Sequence, residues 1–321
     1  MADPVRVLLC ASLGRAEIAA ALKDMPGIRL TVAADTDAVI AALGAHDVLM
    51  CPNPVYTRPL AEALRGRGSA IKWLQLLTAG YDALVEFGIP KEVAVTGAGD
   101  AYAPAVATHA VTLMLALQRR LLDCAANKAA GRWDRAMSGA MSIPYGGEVA
   151  VVGFGSIGSE IARYLRPMGA RIVAVSRRAA PTPLADRVAP VGDLGKILPG
   201  AAAVILALPL APDTRHLIGA SELARMKRSA VLVNIARGGL VDSEALAVAL
   251  GAGTIAGAAL DVTDPEPLPA GHRLWQAPNL IVTPHVAGSC GSLGGARLAD
   301  VAAANLRRYL AGERLAHTIA L

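Results

Sequence analysis

Short runs of β-branched residues alternate along the chain with longer stretches rich in alanine and leucine. This alternation is typical of parallel strands covered by helices on both faces, because a strand that is buried on both sides reads as a nearly continuous apolar run. In the first hundred residues the runs predict strands at Val5–Cys10, Arg29–Val32, Val48–Cys51, Trp73–Leu77 and Val93–Thr96. The pattern therefore predicts one small α/β unit in this part of the chain.

A second series of apolar runs begins after Pro144 and predicts six further strands. They are Glu148–Val152, Arg171–Val175, Ala203–Leu208, Ala230–Asn234, Ile255–Asp261 and Leu280–Thr283. Six parallel strands with intervening helices describe a complete dinucleotide-binding fold. Between the two series, the apolar stretch from Tyr102 to about Gly131 predicts one long helix, and the tail from Gly291 to Gly312 predicts another.

The length of 321 residues fits two domains. We predict an α/β chain with two doubly wound parallel-sheet domains, a Rossmann dinucleotide-binding domain and a smaller flavodoxin-like substrate domain. The Rossmann domain is expected to span residues 100–288. The helical tail is expected to fold back onto the first unit, which would make the substrate domain discontinuous, with residues 1–99 plus 289–321.

Composition narrows the class of protein. Hydrophobic residues make up 54% and charged residues 18%, which is too apolar for a disordered chain, and the 3% of aromatics disfavour a base-stacking surface. The net charge of +5 comes without a basic tail, and this favours small anionic ligands over nucleic acid. The four cysteines are far apart, and the longest apolar stretch, Ala201–Ala211, is too short to cross a bilayer. We expect a cytoplasmic protein without a membrane or nucleic-acid partner and without a metal.

A glycine-rich loop follows the first strand of the second series. Its residues Gly153, Gly155, Ser156, Ile157 and Gly158 form a G-x-G-x-x-G pattern between a predicted strand and a predicted helix. The first glycine permits a tight turn, the second lets the backbone approach a pyrophosphate, and the third lets helix and strand touch. The helix N-terminus would stabilise the anion. This context predicts a dinucleotide site.

The next strand ends at Ser176, where an NAD enzyme would place an acid that accepts the ribose hydroxyls. Ser176 is followed by Arg177 and Arg178, and a hydroxyl with two guanidiniums can donate charge-assisted hydrogen bonds to a 2′-phosphate. The alternative is that both arginines are merely solvated at a strand end. We predict that NADP(H) is preferred and that NAD(H) is a possible second cofactor.

Three ionisable residues each come just after a predicted strand, at the carboxyl edge where doubly wound folds build their sites. They are Arg237, Glu266 and His285. Taken singly, each has an ordinary structural explanation as an ion-pair partner, a solvated turn or a packed ring. At these residues the sequence resembles the NAD(P)-dependent D-2-hydroxyacid dehydrogenases, and the resemblance covers nearly the whole chain.

The resemblance implies a role for each of these residues. Arg237 would bind the carboxylate of a 2-keto acid and polarise its carbonyl. His285 would protonate the nascent alkoxide, and Glu266 would stabilise the protonated ring and fix its orientation. The backbone N–H groups of Ala79 and Gly80, in a loop that follows a strand of the first unit, would hold the substrate carboxylate.

The resemblance also implies further cofactor contacts. These lie at Leu208, Pro209, Thr214 and Asp261, the last being the acid that contacts the nicotinamide carboxamide. Two positions depart from the family pattern, Thr108 where an acid is common and Thr263 where an aromatic is common. Both departures can alter the shape of the site, so the resemblance does not identify the substrate of this chain.

We predict an oxidoreductase that transfers a hydride between NAD(P)H and a small anionic 2-keto or 2-hydroxy acid, of the glyoxylate or hydroxypyruvate reductase type. A homodimer is expected. Two alternatives stay open, a phosphite-type dehydrogenase on the same scaffold and a non-catalytic, dinucleotide-sensing protein similar to a corepressor. Consumption of NADPH with a panel of keto acids would separate the enzyme from the sensor.

Overall fold

The computed structural model describes residues 3–66, 69–177 and 179–320. The strands in these ranges are β1 (Val5–Leu9), β2 (Ile28–Val32), β3 (Val48–Cys51), β4 (Trp73–Leu76), β5 (Ala94–Thr96), β6 (Glu148–Val152), β7 (Arg171–Val175), β8 (Arg187–Ala189), β9 (Ala201–Leu206), β10 (Val231–Asn234), β11 (Gly257–Leu260) and β12 (Leu280–Val282). The α-helices are α1 (Arg15–Lys23), α2 (Thr36–Ala42), α3 (Arg58–Arg65), α4 (Asp82–Phe87), α5 (Ala103–Gln118), α6 (Leu121–Ala129), α7 (Ser156–Leu165), α8 (Leu194–Ile197), α9 (Ala220–Arg225), α10 (Ser243–Gly251) and α11 (Ser292–Leu310).

The chain divides into two compact units. The first unit comprises Met1–Tyr102 and Cys290–Leu321, and the second comprises Ala103–Ser289. The sheet of the first unit has the strand order β2-β1-β3-β4-β5, and every neighbouring pair is parallel. This is the doubly wound order of flavodoxin-like folds. The prediction of a small parallel α/β sheet is confirmed.

The sheet of the second unit has the order β12-β11-β10-β9-β6-β7-β8, again with every neighbouring pair parallel. The strand order reverses between β6 and β9, which is the switch point where Rossmann folds bind their ligands outside the carboxyl ends of the strands. The sequence predicted six strands here, and that number was wrong. The additional strand, Arg187–Ala189, is a three-residue edge strand without an apolar run of its own.

The predicted long helix at the start of the second unit is in fact two helices. Arg120 has φ 55°, and this left-handed residue separates α5 from α6. The Ser142 N–H donates to the oxygen of Gln118, the last residue of α5, at 2.9 Å. Leu121 and Leu122 continue the apolar composition past the break, so composition does not reveal it. None of the helices in the described ranges is both long and apolar enough to cross a membrane.

A buried polar network joins the sheet of the first unit to α11. The Trp73 indole donates to Thr96 Oγ1 at 2.9 Å, and that hydroxyl donates to Gln75 Oε1 at 2.8 Å. Gln75 Oε1 also accepts from Asn305 Nδ2 at 3.0 Å, while Gln75 Nε2 donates to the oxygen of Gly97 at 2.8 Å. The four side chains are at most 1% exposed. Since each polar group in the network has a partner, the network specifies one position of α11 against this sheet.

Candidate active site

The glycine-rich loop lies at the switch point of the second unit, between β6 and α7. Gly153 has φ 98°, and a Cβ there would lie 2.4 Å from the carbonyl of Ala207 at the end of β9; a Cβ at Gly158 would lie 2.1 Å from the oxygen of Gly153. Both glycines are therefore required by the packing of the chain itself. A Cβ at Gly155 would meet nothing within 4 Å.

The open space at Gly155 faces the start of a helix. Ser156 and Ile157 are the first residues of α7, and Gly155 is its N-cap. No side chain caps this helix end. Unpaired N–H groups and the positive end of the helix dipole stabilise an anion at such a position. The loop therefore fits the pyrophosphate of a dinucleotide.

The end of β7 carries the predicted ribose site. The Ser176 N–H donates to the oxygen of Ala189 at 3.0 Å, and Ser176 Oγ accepts from the N–H of Ala179 at 3.2 Å. The side chain of Arg177 is exposed and pairs with no acidic group in the described ranges. Arg178 lies outside the described residues. The position holds a hydroxyl and an exposed guanidinium where NAD enzymes have a carboxylate.

The segment after β9 adjoins the glycine-rich loop. The Ala207 N–H donates to the oxygen of Val152 at 2.7 Å, which holds the start of the segment against the end of β6. Leu208 is buried and Pro209 is exposed. Thr214 Oγ1 accepts from the Ala211 N–H at 2.7 Å, so its side chain closes the turn that ends the segment.

Asp261 follows β11 directly and is 1% exposed. Its carboxylate accepts hydrogen bonds from Thr283 Oγ1 at 2.6 Å, from the Val286 N–H at 3.0 Å and from the Ala287 N–H at 2.9 Å. The charge is thus balanced by donors of the protein itself. Because these donors all belong to the segment from 283 to 287, Asp261 fixes the position of that segment.

His285 and Glu266 form a close ionisable pair at this edge of the sheet. His285 Nδ1 lies 2.6 Å from Glu266 Oε1, and the two side chains are 50% and 44% exposed. His285 Nε2 makes no hydrogen bond within the described part of the chain. A histidine held by a carboxylate through Nδ1 presents Nε2 to a ligand, and this geometry suits a proton donor or acceptor.

Arg237 is positioned by a turn after β10. The buried Asn234 side chain donates to the oxygen of Arg237 at 2.8 Å and accepts from the Ala236 N–H at 3.1 Å. A Cβ at Gly238 would lie 2.0 Å from the carbonyl of Thr263, so the turn packs closely on the segment that leads to Glu266. The sheet order places β10, β11 and β12 side by side, and the three predicted catalytic residues all follow these strands.

In the first unit, the loop after β4 carries the predicted substrate residues. Thr78 Oγ1 accepts from the Asn53 N–H and donates to the oxygen of Gly80, both at 3.0 Å, and the Tyr102 hydroxyl donates to the oxygen of Leu77 at 2.7 Å. The backbone N–H groups of Ala79 and Gly80 donate to no acceptor in the described ranges. Two unpaired N–H groups on a braced loop suit a carboxylate ligand.

Comparison with known proteins identifies the family. The family model for the D-isomer specific 2-hydroxyacid dehydrogenase, NAD binding domain, matches residues 111–287. A glyoxylate reductase from Thermococcus gammatolerans is 38% identical over 243 residues, which are 73% of this chain and 72% of the relative. The chain belongs to the D-2-hydroxyacid dehydrogenases.

Solved structures of this family share the fold over the whole chain. A D-2-hydroxyacid dehydrogenase family protein from Aeromonas salmonicida superposes with a TM-score of 0.86 at 26% identity, covering 99% of both chains. A D-2-hydroxyacid dehydrogenase from Xanthobacter autotrophicus, solved with NADPH and MES, gives 0.82 at 27% identity and covers 99% of this chain and 98% of its own. The predicted fold class and the prediction of an NAD(P)-dependent D-2-hydroxyacid dehydrogenase are confirmed.

These relatives support neither the phosphite enzyme nor the dinucleotide sensor. The cofactor of this dehydrogenase is a nicotinamide dinucleotide, and the described residues contain no cluster of potential metal ligands.

Sequence reasoning missed two residues next to the predicted site of the dehydrogenase. His109 on α5 and Thr283 after β12 are joined by a hydrogen bond of 3.0 Å, and Thr283 bonds Asp261. Neither residue has a role that its sequence context predicts. The available signal was the position of Thr283 between a strand and His285, since side chains at strand ends line the sites of doubly wound folds.

Proposed function

We propose that this dehydrogenase reduces a small 2-keto acid of the glyoxylate or hydroxypyruvate type, with NADPH preferred over NADH. The proposal rests above all on the 2.6 Å contact between His285 Nδ1 and Glu266 Oε1, which leaves Nε2 for a substrate. Support for the substrate class comes from the Thermococcus relative, which is named a glyoxylate reductase.

We propose that the dinucleotide lies along the carboxyl edge of the second unit. The N–H groups of Ser156 and Ile157 would hold its pyrophosphate, with close approach allowed at Gly155. Its nicotinamide side would be lined by a set of four residues: Leu208, Pro209, Thr214 and Asp261. When bound, the cofactor supplies the hydride. These roles agree with the open space at the helix start and with the segment that adjoins the glycine-rich loop.

The chemistry of the substrate is assigned to three side chains. The Arg237 guanidinium binds the carboxylate of the keto acid and polarises the carbonyl, because its planar fork matches two oxygens. His285 in its protonated form donates the Nε2 proton to the carbonyl oxygen as the carbon is reduced. Glu266 accepts the hydrogen bond from Nδ1, which keeps the ring oriented and stabilises its positive charge.

The loop after β4 is assigned to substrate binding as well. The N–H groups of Ala79 and Gly80 would donate hydrogen bonds to the substrate carboxylate, while the Thr78 hydroxyl donates to the oxygen of Gly80 and holds the loop in place. In this assignment the substrate domain comprises residues 1–99 plus 289–321, and the dinucleotide-binding domain comprises residues 100–288. We further propose a cytoplasmic homodimer without nucleic-acid or membrane partners.

The residues at the end of β7 support a preference for NADPH. Ser176 carries no charge that would repel a 2′-phosphate, and the exposed Arg177 guanidinium can bind one. The Xanthobacter relative was solved with NADPH. We expect Ser176→Asp to reverse the order of KM for NADPH and NADH, and Arg177→Ala to raise the KM for NADPH alone. Equal effects on both cofactors would show that these side chains do not select the phosphate.

The test of the reaction is steady-state reduction of glyoxylate and hydroxypyruvate with NADPH. Arg237→Ala is expected to lower kcat/KM by roughly a hundredfold or more while the Kd of NADPH changes by less than about twofold, because the guanidinium binds substrate and not cofactor. The matched control is Arg225→Ala, an exposed arginine on α9, which should leave both constants unchanged. An Arg237→Ala enzyme within about threefold of the parent would refute the assignment.

A further inference from the structure

The backbone segment that carries His285 is held to Asp261 by hydrogen bonds. The His285 N–H donates to the main-chain oxygen of Asp261 at 2.7 Å, and the next two N–H groups, of Val286 and Ala287, donate to its carboxylate. His285 has φ 53°, a left-handed conformation that is uncommon for residues other than glycine. Three consecutive N–H groups directed at one buried acid therefore set the direction in which the His285 side chain leaves the backbone.

Two side chains complete the hydrogen bonding around this carboxylate. Thr283 Oγ1 lies 2.6 Å from Asp261 Oδ1 and 3.0 Å from His109 Nε2. An ionised carboxylate has no hydrogen to donate, so the Thr283 hydroxyl donates to Asp261 and accepts from His109. His109 Nε2 must then carry a hydrogen. His109 Nε2 also lies 3.4 Å from Asp261 Oδ1, so this residue of α5 reaches the carboxylate both directly and through the Thr283 hydroxyl.

We propose that His109 and Thr283 are positioning residues for the proton donor His285 and act through Asp261. This inference rests on the role given to His285 under the proposed function. Thr283 acts on the turn twice, because its main-chain oxygen also accepts from the His285 N–H at 3.0 Å while its hydroxyl holds the carboxylate. His109 keeps that hydroxyl directed at Asp261 by occupying its acceptor side.

Thr283→Val removes the hydroxyl with little change in volume. Asp261 then loses its shortest hydrogen bond and the turn is held by backbone donors alone, so the His285 ring is free to shift. A displacement of about 1 Å at a reacting group costs up to roughly a hundredfold in rate. We expect kcat for glyoxylate to fall by roughly tenfold or more, with the Kd of NADPH unchanged within about twofold.

The experiment compares removal of each donor with its conservative replacement. Thr283→Val and His109→Leu remove the donors, whereas Thr283→Ser keeps the hydroxyl and His109→Gln keeps an N–H at a similar reach. The matched control is Thr254→Val, a half-buried threonine of the same unit whose hydroxyl has no hydrogen-bond partner in the described ranges. For every variant, kcat, KM for glyoxylate and for NADPH, Tm, and the primary isotope effect with 4-deuterated NADPH are measured.

The positioning role predicts a specific set of results. The two removal variants lose kcat and show a larger isotope effect, because a misplaced proton donor slows the chemical step, whereas Thr283→Ser and His109→Gln recover kcat to within about threefold of the parent. A general loss of stability would lower Tm without changing the isotope effect. Parental kcat in Thr283→Val and His109→Leu, or a loss explained wholly by weaker NADPH binding, would overturn the inference.

His285→Gln separates this inference from the proposed function. If His285→Gln is active, the proposed role of His285 fails. If His285→Gln is inactive and Thr283→Val keeps the parental kcat, the role of His285 stands and the positioning inference alone fails.

Discussion

Gln75 is the centre of the polar network in the first unit, and its replacement by leucine should destabilise that unit strongly. Leucine has a similar volume but no hydrogen-bonding group. Gln75→Leu would strand three buried groups, the carbonyl of Gly97, the hydroxyl proton of Thr96 and one N–H of Asn305. A buried group without a partner costs about 1–3 kcal/mol, so the loss of three partners should lower the free energy of unfolding by about 3–9 kcal/mol. That is a large share of the roughly 5–15 kcal/mol typical of a folded protein.

Tryptophan fluorescence offers an assay that follows the first unit. Trp73 is fully buried, while Trp133 and Trp275 are 95% and 52% exposed. The red shift of emission during urea unfolding therefore reports mainly on Trp73, which is itself part of the network. The matched control is Gln276→Leu at an exposed position, where the change should stay within about 0.5 kcal/mol.

A second substitution tests the mechanism of the loss. In Gln75→Leu/Asn305→Leu the asparagine no longer remains buried with an unpaired N–H, so the double variant should lose less stability than the sum of the two single variants, by about 1 kcal/mol or more. A loss below about 1 kcal/mol for Gln75→Leu, or strict additivity of the two changes, would refute the reasoning.

Three further predictions concern the glycine-rich loop, the proton donor and acid stability. Gly155→Ala should raise the Kd of NADPH with little change in Tm, whereas Gly158→Ala should lower Tm, because only the Cβ at position 158 collides with the chain. Calorimetry measures Tm and a binding titration measures Kd. Equal losses of Tm in the two variants would contradict the prediction. Glu266→Gln should lower kcat for reduction, because an amide oxygen holds the His285 Nδ1–H less firmly than a carboxylate does, and a parental kcat would give Glu266 another role. Hydrogen bonds from Arg6 hold the pKa of Asp47 below its usual value of 3.8, so this carboxylate's stabilising contribution is complete above that pH and is lost as the pH falls through the lower folded-state pKa. In urea unfolding, the free energy of unfolding of Asp47→Asn should accordingly be lower than that of the parent at pH 6 and close to it at pH 2. The same difference at both pH values would show that protonation of Asp47 does not cause the loss.

Sequence patterns were sufficient for elements with continuous apolar runs. Glu148–Val152 and Arg171–Val175 have the predicted bounds, because a fully buried parallel strand has an unambiguous composition. The break at Arg120 and the edge strand Arg187–Ala189 were not predicted. The first depends on the conformation of a single residue, and the second on pairing with β7 instead of burial.

For the site, the sequence predicted the strand ends from which Arg237, Glu266 and His285 project, because parallel strands bring their carboxyl ends to one edge of the sheet. It did not reveal the hydrogen bonds that orient these residues. His109 and Thr283 are 174 positions apart, and no local pattern connects them. Their relation depends on the packing of α5 against the sheet.

The division of the chain has a consequence for the order of events during synthesis on the ribosome. The second unit is one continuous segment, Ala103–Ser289, so all of its residues have been synthesised before translation reaches Cys290. The first unit emerges earlier in part, but Gln75 and Thr96 must wait for Asn305, which is translated 230 residues after Gln75. The stretch synthesised first thus completes its interior last, and until then its exposed apolar surface is a target for chaperones.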